Sequence, residues 1–124
     1  MLNLIAAVAL LVATLVTGKR RQKQLHIRLA VVTVIVLVLA VVQADIYGHG
    51  FTFNRTDLLV HLVFAFATLV ALPPVAYSGW RLRRASRWRR IHLRFVTLFV
   101  FLTVMAVLTA CYMFLDAVPK EVTA

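Results

Sequence analysis

Two basic stretches that contain no acid constrain this chain more than any other feature. The longer runs from Trp80 to Arg94 with seven arginines, and the shorter runs from Lys19 to Arg28 with five lysines and arginines. Each leads directly into a long apolar segment, and a stretch with this much charge cannot lie within a bilayer. The chain is therefore expected to return twice to the same aqueous side, each time between two membrane-spanning segments.

The apolar content decides the class of protein. Hydrophobic residues make up 63% of the 124 residues, more than a water-soluble fold of this length can bury. The second apolar segment is rich in β-branched residues, but a lone strand in lipid would leave its backbone unpaired, so helix is expected there too. We therefore expect an all-α integral membrane protein, a four-helix bundle forming one domain. Its transmembrane helices are predicted at about residues 1–17, 29–44, 58–79 and 91–115.

The distribution of charge predicts the orientation. Twelve of the fourteen lysines and arginines lie in the two basic stretches. Because positive residues favour the cytoplasmic side, both basic turns are expected in the cytoplasm and both termini outside. Topology also accounts for the net charge of +10, so no nucleic-acid partner is expected. All four acids fall on the predicted outer side: Asp45, Asp57, Asp116 and Glu121.

Two local signals concern helix ends. Residues 45–57 form the one substantial outer loop of the prediction, in which Gly48 and Gly50 break the helix and Asp57 caps the next one. Pro73 and Pro74 fall fifteen and sixteen residues into the third span. Because two backbone donors are missing there, that helix is expected to kink or to end.

The two halves of the sequence resemble each other weakly. A shift of 66 residues places His26 on His92 and Arg28 on Arg94, each pair at the start of an apolar helix. With two spans in each half, such a parallel repeat would be related by an axis along the membrane normal. Two explanations stay open: internal duplication, or a similarity that the shared topology imposes.

The paired histidines are the strongest indication of chemistry. Neutral imidazole is a common ligand of haem iron, and two helices with one histidine each at equal depth suit bis-histidine ligation of haem b. Arg28 and Arg94 could then neutralise the two propionates. The competing interpretation is that a histidine beside an arginine at a helix entry is an ordinary interfacial residue. On either interpretation, His26 and His92 are expected to lie at the same depth.

The other two histidines lie towards the predicted outer side. His61 shares one face of the third helix with Thr68, and an ionisable residue within a membrane is a candidate for function. A hydrogen bond to a neighbouring helix explains His61 equally well. A rise of about 1.5 Å per residue separates it from the inner face by roughly 24 Å, so one cofactor cannot use His61 with both His26 and His92. His61 and His49 are candidates for a second site, for copper or another metal.

These residues resemble a known family. The pattern consists of His26 with Arg28, the run Val60-His61-Leu62-Val63, and His92 at the end of the second basic turn. It resembles the small four-helix membrane family that includes the CtaM (YozB) proteins, over about two-thirds of the chain. The family usually has a glycine soon after the last histidine, where this chain has Arg94-Phe95-Val96. The resemblance implies a role in assembling a haem–copper terminal oxidase in a bacterial plasma membrane, with haem or copper as cofactor.

Other functions remain open at this point. A haem b electron-transfer subunit would place His26 and His92 at an inner haem and His49 and His61 at an outer one. A non-catalytic accessory subunit would only pack against a larger respiratory complex. A proton-coupled multidrug exporter needs a carboxylate deep in a span, and the sequence has none. No catalytic arrangement is visible, so an enzyme is not expected. The expected partners are the lipid bilayer and a respiratory oxidase or other membrane complex, and oligomerisation stays open.

Overall fold

The computed structural model describes residues 2–121, and most of them are helical. Helices α1 (Leu2–Lys19) and α2 (Lys23–Gly48) are followed by α3 (Arg55–Arg84) and α4 (Arg89–Leu115). A 3₁₀ turn, Ser86–Trp88, precedes α4, and strands β1 (Phe51–Thr52) and β2 (Val118–Pro119) have two residues each. Met1, where the first predicted span begins, and residues 122–124, predicted to lie outside, are beyond the described residues.

All four helices are long and apolar enough to cross a membrane, which confirms the prediction of four such helices. Each is longer than its predicted span because the flanking lysines, arginines and glutamines are good helix formers. The basic stretches are therefore mostly helical rather than open turns. Three residues, 20–22, connect α1 to α2, and Arg21 has a positive φ of 58° that tightens this connection.

The described chain divides into two compact units, residues 1–51 and 52–124, and each is a helical hairpin. In the first, α1 packs against α2, and in the second, α3 packs against α4. The short connections make each pair antiparallel. The packing of the two hairpins into one bundle stays a prediction.

Within the first hairpin, the helices approach closely at two threonines. The hydroxyl groups of Thr14 and Thr33 lie 2.9 Å apart, and both side chains are buried. Each hydroxyl is also 2.7 Å from the carbonyl oxygen four residues earlier in its own helix. Two protons cannot serve three hydrogen bonds, so one hydroxyl donates across the helices instead of to its own carbonyl. Thr14 and Thr33 thus join α1 to α2.

The pair Pro73-Pro74 does not end α3. The helix continues through both prolines to Arg84, so the sequence-based alternative that it terminates there is wrong. In an apolar environment no water can hydrogen-bond to the backbone. The N–H groups after the prolines therefore keep their intrahelical partners, and the helix continues. Ala71, two residues before Pro73, is buried in the hairpin, and so is Ser78, four residues after Pro74. The prolines therefore lie between two points at which α3 is packed.

The cap of α3 also differs from the prediction. The side chain of Asn54 accepts a hydrogen bond of 3.0 Å from the backbone N–H of Thr56, so Asn54 is the N-cap and Asp57 lies in the first turn. Asp57 was the wrong choice because an asparagine three residues earlier fills that role, and a carboxylate in the first turn still complements the helix dipole. The connection from α2 to α3 consequently shortens from the predicted 45–57 to residues 49–54.

Candidate functional site

His26 lies in the first turn of α2 and reaches back to α1. Its Nδ1 is 2.8 Å from the carbonyl oxygen of Thr14. A carbonyl can only accept, so Nδ1 carries the proton and donates it. The neutral ring then keeps its lone pair on Nε2, the form in which imidazole binds a metal.

His92 occupies the corresponding place in the second hairpin. Its Nδ1 is 3.0 Å from the hydroxyl of Ser78, a fully buried residue of α3. The same hydroxyl is 3.0 Å from the carbonyl oxygen of Val75, so it lies between that carbonyl and the imidazole. The carbonyl of Thr14 and the hydroxyl of Ser78 thus hold the two imidazoles through the same ring nitrogen, Nδ1.

A glycine lies against each of these imidazoles. A Cβ atom added at Gly18 would lie 3.0 Å from Cε1 of His26, and one added at Gly79 would lie 3.2 Å from Cε1 of His92. Both distances are shorter than ordinary carbon–carbon contact, so a side chain at either position would require the ring to move away by a few tenths of an ångström. We call the group of His26, Thr14 and Gly18 the first histidine clasp.

The second histidine clasp consists of His92, Ser78 and Gly79. Sequence analysis found the two histidines but missed their partners, since the 66-residue shift that aligns the histidines would place Gly18 on Arg84 rather than on Gly79. A usable signal was present in both halves: a glycine near the end of one helix, followed by a basic stretch and then a histidine. The two hairpins therefore share an arrangement without sharing its register.

His61 joins α3 to α4 within the second hairpin. Its Nδ1–H donates to the carbonyl oxygen of Ala106 at 3.1 Å, with the hydroxyl of Thr109 at 3.2 Å. The predicted interhelical hydrogen bond is thus present, and Nε2 again keeps the lone pair. Thr68, its predicted neighbour on the helix face, is buried and bonds to the carbonyl of Phe64 in its own helix.

The spacing along α3 separates His61 from the second histidine clasp. Ser78 comes seventeen positions after His61 in α3, which is about 26 Å along a helix. One small cofactor cannot contact both positions. Any ligand of His61 therefore occupies a site different from a ligand of His92.

Three other candidate residues are more exposed than the histidines of the two clasps: His49, Arg28 and Arg94. His49 is exposed beyond the end of α2, where its Nδ1–H donates to the carbonyl oxygen of Asp45 at 2.7 Å. Arg28 and Arg94 are exposed, each two positions after a histidine within a helix. Two positions correspond to a rotation of about 200°, so each arginine points away from the clasp of its own hairpin. A contact with propionates stays a prediction.

Within each hairpin, the described histidines stand singly rather than in clusters of metal ligands. A haem iron already has four porphyrin nitrogens and requires only one or two axial ligands, such as single imidazoles. A copper centre takes several protein donors. Within each of the two described hairpins, no group of three or more His, Cys, Asp or Glu side chains could hold a metal ion. The lone Cys111 is exposed on α4 and adds no donor set to either clasp.

Comparisons with known proteins add no assignment. No family model matches the chain, no curated protein matches it, and no solved structure matches it. The functional argument therefore depends on the residues themselves.

Proposed function

We propose that this chain is a multi-pass protein of a bacterial plasma membrane that binds haem b and serves in the assembly or function of a respiratory haem–copper oxidase. Four helices of sufficient length and hydropathy support the membrane location. The excess of lysine and arginine at one end of each hairpin supports a cytoplasmic location for both basic stretches. The proposed role is binding rather than turnover.

The observation that carries the proposal is the pair of histidine clasps. In each, Nδ1 of the histidine is hydrogen-bonded to a residue of the preceding helix and a glycine lies against the ring, and in the first clasp Nδ1–H donates to the carbonyl of Thr14, which leaves the lone pair of His26 on Nε2. Haem-ligating histidines need this arrangement, since a hydrogen bond at one ring nitrogen fixes the tautomer and the orientation of the other. In the proposal, His26 and His92 each supply an axial nitrogen, and the bound iron supplies one-electron redox chemistry.

The clasps also support haem over a purely structural role for the histidines. A serine or threonine could join two helices through one hydrogen bond, as Thr14 and Thr33 do in the first hairpin. In the first clasp, the imidazole of His26 adds a second nitrogen, Nε2, that its hydrogen bond to Thr14 does not use. In the proposal, haem iron binds that second nitrogen.

Analysis of bound iron and copper tests the proposal directly. The protein, purified from its native membrane, should contain haem b in a fixed ratio to protein, and the pyridine haemochrome spectrum identifies the haem type. Copper without haem would replace the haem proposal with a copper-binding one. Neither metal would favour the accessory-subunit alternative.

Deletion of the gene separates the two haem-dependent roles. If the protein assists assembly, membranes from the deletion strain should contain less assembled oxidase, measured by the haem a or haem o signal of the oxidase. If it is an electron-transfer subunit, the oxidase should assemble normally while electron flow to it falls. An unchanged oxidase with unchanged electron flow would contradict both roles.

A further inference from the structure

The end of the second hairpin carries a cluster of arginines and aromatic rings. Helix α3 contributes four of its residues at one-turn spacings, and the 3₁₀ turn contributes the fifth. We call this group the arginine–aromatic cluster: Tyr77, Trp80, Arg81, Arg84 and Trp88. The histidine clasp of the same hairpin uses none of these five residues.

Cation–π contacts hold both guanidinium groups. The central carbon of Arg81 lies 4.9 Å from the ring centre of Trp88 and 5.9 Å from that of Tyr77. The central carbon of Arg84 lies 4.9 Å from the ring centre of Trp80. A cation–π contact uses the positive charge of the guanidinium, and the ring offers its N–H groups no oxygen acceptor. The rings thus position the two arginines without using their hydrogen bonds.

The cluster lacks an anion of its own. Nε of Arg81 is buried and has no hydrogen-bond partner among the described residues. The acid on the same helix, Asp57, is 24 residues away, about 36 Å along the helix. A buried donor without a partner is unfavourable by about 1–3 kcal/mol. Because this Nε is closed to solvent, an oxygen-rich anion has to draw the Arg81 side chain outward to pair with its Nε–Nη edge, and that movement would also satisfy the unpaired donor.

We propose that the arginine–aromatic cluster binds the phosphate of an anionic phospholipid headgroup. Phosphate has the geometry to accept two N–H groups from one guanidinium. Tyrosine and tryptophan prefer the headgroup region of a bilayer, and Tyr77 and Trp80 are half exposed next to the apolar part of α3. The lipid's acyl chains would follow that apolar surface, which a free phosphate could not use.

The other basic stretch provides an internal comparison. Residues 19–28 carry five cations, but no aromatic residue occurs in the chain before Tyr47. Its arginines are exposed and have no ring to hold them. General attraction to a negative membrane surface would involve both basic stretches alike, whereas a headgroup site requires the cluster.

Tryptophan fluorescence gives a direct test, since the chain has two tryptophans and both belong to the cluster. The full chain is reconstituted into vesicles that contain either brominated phosphatidylglycerol or brominated phosphatidylcholine, and quenching is compared at equal mole fractions. We expect stronger quenching by the anionic lipid. Arg81→Gln should reduce this preference by about fivefold, the effect of one well-placed charge, while the matched variant Arg20→Gln should leave it unchanged. Arg81→Lys, which keeps the charge but loses the planar fork, should reduce it in part.

Three results would overturn the proposal. Equal quenching by both lipids would show that the wild-type cluster has no preference for an anionic headgroup. Equal losses in Arg81→Gln and Arg20→Gln would show general surface charge rather than a site. Relief of the preference by inorganic phosphate at millimolar concentration would assign the cluster to a free anion.

Discussion

A methyl group at Gly18 or Gly79 is the smallest change that tests how closely the imidazoles are held. Gly18→Ala and Gly79→Ala would place a Cβ 3.0–3.2 Å from the facing ring, and overpacking of this kind destabilises by about 1–3 kcal/mol. We expect both variants to lower the free energy of unfolding, measured by denaturant titration in detergent micelles. Gly50→Ala is the matched control, because its Cβ would make only an ordinary contact of 3.5 Å. Equal stability of all three variants would show that the rings are not confined by the glycines.

Ser78→Ala tests the hydroxyl in the second histidine clasp. The substitution removes the hydroxyl that is hydrogen-bonded to Nδ1 of His92, and the loss of this buried hydrogen bond destabilises by about 1–3 kcal/mol. Bound haem should also decrease, since the ring of His92 is then less firmly fixed. Thr97→Ala is the control, because Thr97 is exposed and bonds only to the carbonyl of Leu93 in its own helix. A Ser78→Ala protein with wild-type stability and haem content would contradict the clasp.

The sequence contains a glycine before each basic stretch, but it does not show that His26 and His92 contact these glycines or which groups they hydrogen-bond, and the reason is physical. A single sequence shows which residues are polar, but a backbone carbonyl such as that of Thr14 accepts a hydrogen bond whatever its side chain. Glycines are likewise ambiguous until the opposing helix is in place. Gly18 suggests a helix end when read alone, and its close contact with His26 becomes visible only across α1 and α2.

The pairing of α1 with α2 has a test in its two buried threonines. Thr14→Val and Thr33→Val each remove one hydroxyl from the crossing and keep the shape of the side chain. Interhelical hydrogen bonds in membranes average about 0.6 kcal/mol, so each single variant should lose about that amount of stability. In a double-mutant cycle, the second substitution should then add little. Fully additive losses would show that the 2.9 Å contact contributes no coupling.

The number and type of the helices were predictable from the sequence, and their ends were not. Apolar segments bounded by charge indicate a span, but they do not show where helical hydrogen bonding stops, which is why α2 continues to Gly48 and α3 to Arg84. The prediction that α3 could end at the prolines was wrong for a related reason. Packing of α3 on both sides of Pro73 and Pro74 outweighs the missing backbone donors. Local propensity is a weaker determinant than tertiary packing in these segments.

The proposed orientation of the protein is based on the distribution of charge, and it can be measured chemically. In a Cys111→Ser background, single cysteines at Ser86 and Thr52 are labelled with a membrane-impermeant maleimide. Both positions are exposed in the structure, so access depends on the side of the membrane. We expect Thr52→Cys to react from outside and Ser86→Cys only after permeabilisation. Labelling of both from the same side would contradict the proposed topology.

Haem binding is the central claim, and one set of absorption spectra tests it most directly. Wild-type protein and the variants His26→Ala, His92→Ala and His49→Ala are purified after haem-replete expression and compared at equal protein concentration. The wild type should show the Soret band of a bound b-type haem, His26→Ala and His92→Ala should each lose it, and His49→Ala should retain it. A wild-type protein without haem, or a full Soret band in both His26→Ala and His92→Ala, would contradict the proposal and leave the histidines as anchors between helices.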